Sequence, residues 1–120
     1  MILLDTSILI NYFRKSDKEN TFFLILHKSY PLGISTITEY ELLNGSLSEK
    51  HIKFNVLLFS KLTIIDFNRN CAKSAANIYK DLKAKKQLID VADMLIAGTA
   101  LANNLPLATL NTKHFSSIKN

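Results

Sequence analysis

The sequence predicts an α/β fold built on a mainly parallel sheet, and three observations predict it. Short apolar segments alternate with helical periodicities along the whole chain, the pattern of βαβ crossovers. The segments that read as strands are apolar on both faces, as strands buried in a parallel sheet are. And 120 residues suit one domain, 1–120, large enough for a core but not for two.

The elements follow in order. ILLD (2–5) is a short apolar strand, and SILINYFRK (7–15) is a helix starting just after it. ENTFFLILHKS (19–29) reads as a second helix broken by Pro31, and LGIST (32–36) as a strand that tolerates Gly33. TITEYELLNG (36–45) is a short helix closed by Gly45, where a C-terminal glycine belongs. SEKHIKFNVLLFSK (48–61) is a long helix with Ser48 as its cap, and LTIIDF (62–67) is a β-branched strand. NRNCAKSAANIYKDLKAKKQ (68–87) is amphipathic, with Lys83, Lys85 and Lys86 favourably placed at its carboxyl end. DVADMLIAGTALANN (90–104) is a helix, and LPLATL (105–110) is the last strand. In such sheets the ligand crevice lies beyond the carboxyl ends of the strands, which is where Asp5 sits.

Composition narrows the functional classes. A formal net charge of +5 favours polyanionic partners such as nucleic acid. Cys71 is the single cysteine, which excludes an intramolecular disulfide and a cysteine-based metal site. The apolar first thirteen residues are interrupted by Asp5, with no preceding basic residue and no small-residue cleavage site, unlike a signal peptide. No apolar run is long enough for a membrane span. The expectation is a cytoplasmic protein with no membrane partner.

With ten acidic residues, their placement can be followed individually. Asp5 ends a strand and begins a helix, so its simplest role is an N-cap. Asp93 is harder to account for: Ile96, Ala97, Ala100 and Leu101 follow it at the spacing of a core-facing stripe, putting the carboxylate on the inward side. Either a buried lysine pairs with it or it belongs to a functional site. Asp90 lies near the same side and is a candidate cap, which would leave Asp93 free for other work. Glu39 and Glu41 are two apart and cannot point the same way on a helix. Periodicity does not choose between them: Glu39 shares a side with Leu42 and Leu43, Glu41 with Ile37, Thr38 and Gly45.

Four stretches together resemble one family. LDTS (4–7), ELLNG (41–45), DMLIAGTAL (93–101) and ATLNTKHF (108–115) are similar in order and separation to PIN domains, specifically VapC-type toxin ribonucleases. The resemblance spans essentially the whole chain. It implies a three-layer α/β/α fold with acids gathered at the carboxyl edge of the sheet. It also implies that Glu41 is the family's glutamate, and that Asp5, Glu41 and Asp93 are the catalytic, metal-holding acids. Thr6 or Ser7 matches the hydroxyl that supports the first Asp, and Asp90, Thr109 and Asn111 are carried as further supporting residues. The last motif departs from the pattern: where an acid usually precedes Phe, His114 precedes Phe115. Asn111 offers a carbonyl oxygen without charge, and His114 reads as a surface residue.

The implied chemistry is hydrolysis of RNA phosphodiester bonds with Mg²⁺ or Mn²⁺ as cofactor. Such hydrolysis needs an activated water and neutralisation of charge building on phosphate oxygens, which hard cations held by oxygen ligands supply. Crowded carboxylates repel one another until a cation binds. There is no glycine-rich phosphate loop and no nucleophile elbow, and His27, His51 and His114 are scattered. Arg14, Lys15, Lys83, Lys85 and Lys86 are candidates to hold RNA phosphates, each with a solvated helix face as its simpler role. In HIKFNVLLFSKL (51–62), Phe54, Leu57, Leu58 and Phe59 nearly encircle the helix, so it is either deep core or an interface. The resemblance implies a homodimer, and a cognate antitoxin lying over an apolar groove between helices 8–27 and 37–60. The competing class is a catalytically weak or inactive PIN-like module that binds RNA or protein, favoured only by the altered last motif.

Overall fold

The computed structural model describes residues 1–118. Its elements are β1 (Ile2–Leu4), α1 (Thr6–Arg14), a 3-10 turn (Lys18–Asn20), α2 (Phe22–His27), β2 (Leu32–Ser35), α3 (Thr36–Asn44), α4 (Glu49–Phe59), β3 (Thr63–Ile65), α5 (Arg69–Ala84), α6 (Val91–Ala102), β4 (Leu107–Ala108) and α7 (Thr112–Phe115). The strands form one sheet in the order β3-β2-β1-β4, and every pairing is parallel. β1 is therefore central, aligned with β2 through Ile2–Leu32 and Leu3–Gly33 and with β4 through Leu3–Leu107 and Leu4–Ala108.

The two-residue alternation of strand side chains divides the core. Ile2, Leu4, Leu32, Ile34, Ile64 and Ala108 pack with α1, α2, α3 and α4 on one face. Leu3, Ile65 and Leu107 pack on the other face against Ile96 and Ala100 of α6. Helices thus cover both faces, as expected of strands with no polar side. α5 packs outside α6, with Ile78 and Leu82 against Met94 and Ala97. Their axes approach closely because Gly98 faces Ala75: a Cβ on Gly98 would lie 2.8 Å from both the Ala75 Cβ and its backbone nitrogen.

Several boundaries differ from the sequence-based reading for local reasons. The segment 19–29 is a 3-10 turn followed by a six-residue helix, because Thr21 takes the cap position, its side chain accepting the Leu24 N–H. Gly45 does close α3, but in right-handed helical geometry (φ −84°), so no left-handed turn demands glycine there. β3 is short at its carboxyl end, where the Phe67 N–H donates to the Thr36 hydroxyl rather than to a neighbouring strand. α7 was not anticipated; it is only one turn long. The expected cap of α4 is present, Ser48 accepting the His51 N–H, and the structure adds one for α5, where Asn68 accepts the Cys71 N–H. Cys71 is buried and unpaired.

α4 is not a deep core helix. Leu58 and Asn55 are buried, but Val56 and Leu57 are 64% and 68% exposed and Ile52 is exposed as well. Among the described residues, no helix is long and apolar enough to cross a membrane.

Candidate active site

Asp5 leaves β1 at the sheet edge, its N–H donating to the Ala108 carbonyl at 2.9 Å. It occupies the N-cap position of α1, yet its carboxylate caps nothing. The sequence-based capping role is therefore corrected: only the Asp5 backbone carbonyl serves the helix, accepting the Ile8 N–H at 3.1 Å. The side chain, 1% exposed, is held by two hydroxyls that donate to the same oxygen. Ser7 Oγ lies 2.7 Å and Thr109 Oγ1 2.8 Å from Asp5 Oδ2. Each hydroxyl oxygen in turn accepts a backbone N–H, from Leu110 at 3.0 Å and Asn111 at 2.9 Å respectively. These bonds tie the loop after β4 to the start of α1 and polarise both hydroxyls toward the carboxylate.

Glu41 comes from α3, which starts at the end of β2, beside β1. Thr6 Oγ1 donates to Glu41 Oε1 at 2.7 Å and lies 3.0 Å from the hydroxyl of Thr38, which is fully buried. A hydroxyl carries one proton and a carboxylate only accepts, so the Thr6 proton goes to Glu41 and Thr38 donates to Thr6. Glu39 has no part in this arrangement. Of the two glutamates that periodicity left open, Glu41 is the one that a hydrogen bond links to α1. Thr38, one turn before Glu41, was visible in sequence only as a neighbour on the same helix side.

Asp93 sits in the first turn of α6 with its side chain 14% exposed. The stripe below it is buried as expected, with Ile96, Ala97 and Ala100 in the core. The partner is not a lysine: His114 Nδ1 lies 2.7 Å from Asp93 Oδ2. Burial pushes the Asp93 carboxyl above its usual value; the hydrogen bond and charge of His114 oppose this, and the negative charges of Asp5 and Asp90 add to it. Asp90 stands at the N-cap position of α6 but, like Asp5, makes no side-chain cap. Ligand atoms of Asp90, Asp93 and His114 all lie within 4.8 Å of one another. His114 is at the surface as expected, its side chain 45% exposed, but its ring also contacts Asp93, which the sequence did not suggest. α7 lifts its ring, with the His114 N–H donating to the Asn111 carbonyl at 3.0 Å, and only the identity of the residue before Phe115 hinted at a role.

The structure joins Asp5, Ser7 and Thr109 in one hydrogen-bonded group and Thr6, Thr38 and Glu41 in another, with Asp93 near enough to Asp5 for their charges to interact and grouped with Asp90 and His114. Among the described residues, no lysine or arginine pairs with Asp5, Glu41 or Asp93. The Asn111 side chain makes no cap to α7. Of the five cations proposed from sequence, Arg14 lines a cleft that also contains Glu41, Phe13 and His51. Lys15 lines a different cleft with Asp17 and Phe22. Lys83 lies over the Tyr79 ring, and Lys85 pairs with Asp81 at 2.8 Å and with the Ser117 carbonyl. Lys86 has a positive φ of 59° beyond the end of α5. Among the described residues, none of these four lysines pairs with Asp5, Glu41 or Asp93. Asp5 is buried without a lysine or arginine partner, Glu41 and Asp93 are half-buried, and Asp93 pairs with His114; their carboxylate oxygens are donors of the kind a hard divalent cation takes.

Comparison with known proteins identifies the family and agrees with the fold. A PIN domain family model matches residues 2–120. Ribonuclease VapC1 of Methanocaldococcus jannaschii is 36% identical, the match covering 98% of this chain and 81% of that protein. Ribonuclease VapC2 of Rickettsia felis is 32% identical over 98% of this chain and 92% of its own length. A crystal structure of VapBC2 from Rickettsia felis bound to a DNA fragment from their promoter has a chain that superimposes with a TM-score of 0.86 at 30% identity. That match covers 98% of this chain and 93% of the other.

Proposed function

The chain belongs to the PIN domain family, and from that premise we propose that it is a metal-dependent endoribonuclease, the toxin of a toxin–antitoxin pair. The observation that carries this reading is the Asp5 carboxylate. It is buried, it caps no helix, it pairs with no lysine or arginine among the described residues, and its charge acts on Asp93. Two hydroxyl bonds do not offset the cost of burying a full negative charge without a counterion, so a bound cation is the better account of it. Relatives named as ribonucleases and a VapBC complex of the same fold support the substrate and the partner.

Asp5, Glu41 and Asp93 would hold Mg²⁺ or Mn²⁺. The bound ion supplies Lewis acidity, neutralising charge on the scissile phosphate and making a water a competent nucleophile at neutral pH. The chain's own residues set the geometry. With both hydroxyl bonds on Oδ2, Asp5 has Oδ1 left as its ligand atom. Thr6 restricts Glu41 to one orientation in the same way. Such orienting partners, when removed, typically cost about 10–100-fold in metal affinity or activity. Arg14, beside Glu41, is the cation best situated to hold an RNA phosphate; it contributes affinity rather than sequence readout. The exposed apolar side chains of α4 are a surface for the antitoxin or for a second copy of the chain in a homodimer. The site of action is the cytoplasm, where the RNA is.

The test is cleavage of structured RNAs by purified protein at fixed salt, with Mg²⁺ or Mn²⁺ against EDTA and Asp93→Asn alongside. Metal-dependent cutting that disappears in the variant, with unchanged circular dichroism, is the expected result. Saturable RNA binding without cutting by the well-folded parent would instead favour the binding-module reading.

A further inference from the structure

The motif that departs from the family pattern puts an imidazole where an oxygen donor would be expected, and the geometry around it is specific. His114 Nδ1 is 2.7 Å from Asp93 Oδ2, and the ligand atoms of Asp90, Asp93 and His114 lie within 4.8 Å of one another. Nitrogen and carboxylate ligands bind a divalent transition ion at about 2.0–2.2 Å, so adjacent ligands of one ion lie about 3 Å apart and opposite ones about 4.3 Å apart. The 2.7 Å between His114 and Asp93 is a few tenths of an ångström short of the adjacent-ligand spacing, and the 4.8 Å limit on the set of three admits the opposite-ligand one. An ion could replace the proton shared by His114 and Asp93 with a shift of a few tenths of an ångström; the proton leaves to solvent and the ring keeps its other N–H.

We infer that His114 is a nitrogen ligand of the metal centre and that it biases this centre toward Mn²⁺ over Mg²⁺. The inference rests on the metal-site reading of Asp5, Glu41 and Asp93. Mg²⁺ demands hard oxygen donors and near-ideal octahedral geometry, whereas Mn²⁺ lies at the start of the transition series and accepts imidazole. A site of carboxylates alone separates the two ions poorly. Adding one imidazole, 45% exposed and carried on a one-turn helix that can follow the ion, favours the transition ion. The ordinary alternative is a hydrogen-bonded His–Asp pair that never binds metal.

The experiment is Mn²⁺ binding to the full chain followed by electron paramagnetic resonance, with free Mn²⁺ quantified from its six-line signal. Nitrogen hyperfine coupling is read by pulsed methods, and His114→Asp, His114→Gln and Asp93→Asn are run in parallel. The expected result is a nitrogen coupling in the parent that both His114 variants lose. The variants are needed because His51 lies in the cleft beside Glu41. In His114→Asp, the Mg²⁺ needed to displace half of the Mn²⁺ should fall about tenfold, within the range over which residues around a site move metal affinity. Saturable Mn²⁺ binding that Asp93→Asn abolishes, but with no nitrogen coupling traceable to His114, overturns the inference and leaves the metal-site reading intact. Absence of any binding sensitive to Asp93→Asn overturns both.

Discussion

Gly98→Ala sets two physical effects of opposite sign against each other. Alanine is the better helix former by about 1 kcal/mol, and Gly98 lies inside α6, so local propensity alone predicts a more stable protein. The tertiary structure predicts the reverse. The added Cβ would stand 2.8 Å from the Ala75 Cβ, 2.8 Å from its nitrogen and 2.9 Å from its Cα. Two of these three atoms are helix backbone, which no side-chain rotation can move. α5 and α6 must therefore separate by several tenths of an ångström, opening the contacts of Ile78 and Leu82 with Met94 and Ala97. Overpacking of this kind costs about 1–3 kcal/mol, and a backbone clash belongs in the upper part of that range. The net expectation after the propensity gain is a loss of about 1–2 kcal/mol. An unfolding entropy of about 2.1 cal/mol/K per residue gives about 4 °C per kcal/mol for a chain of this size, a fall in Tm of about 4–8 °C by calorimetry. The double variant Ala75→Gly/Gly98→Ala should recover only part of this, because the backbone contacts survive. A Tm at or above the parent's would refute the argument and show that α6 slides on α5 at no cost.

Three further predictions concern the acidic edge. Asp5→Asn should abolish metal-dependent cleavage while leaving urea unfolding in EDTA unchanged or shifted to higher urea, because one of the mutually repelling carboxylates becomes neutral; a large loss of stability would make Asp5 a structural residue. In metal-free protein, the raised Asp93 carboxyl means the folded state holds its proton more tightly than the unfolded chain, so stability rises as pH falls through the raised value toward the ordinary 3.8. Urea midpoints in EDTA should accordingly increase from pH 7 toward pH 4 on this group's account, and Asp93→Asn should flatten that part of the profile. Thr6→Val removes the hydroxyl that orients Glu41 and should lower metal affinity about tenfold at near-parent secondary structure, read by titration of Mn²⁺; unchanged affinity would mean that Glu41 does not act through Thr6.

Much of the molecule was legible before its structure. Apolar strands alternating with helices specified a parallel sheet covered on both faces. The stripe after Asp93 specified which way that carboxylate turns. Both are properties of periodicity, which a sequence states directly. A helix end was legible where the cap is a local bond, as at Ser48, and mistaken where the side chain had a distant partner, as at Asp5. α7 was missed because four residues carry no period.

By itself, then, the sequence determined the layers, the order of elements and the set of acids from which a site could be drawn. Tertiary structure decided which of them meet. Glu41 is bound by Thr6, 35 residues away, and Asp5 by Thr109, 104 residues away. His114 reaches Asp93 across 21 residues. These are side-chain bonds between elements that only the sheet order brings together, and no local pattern encodes them.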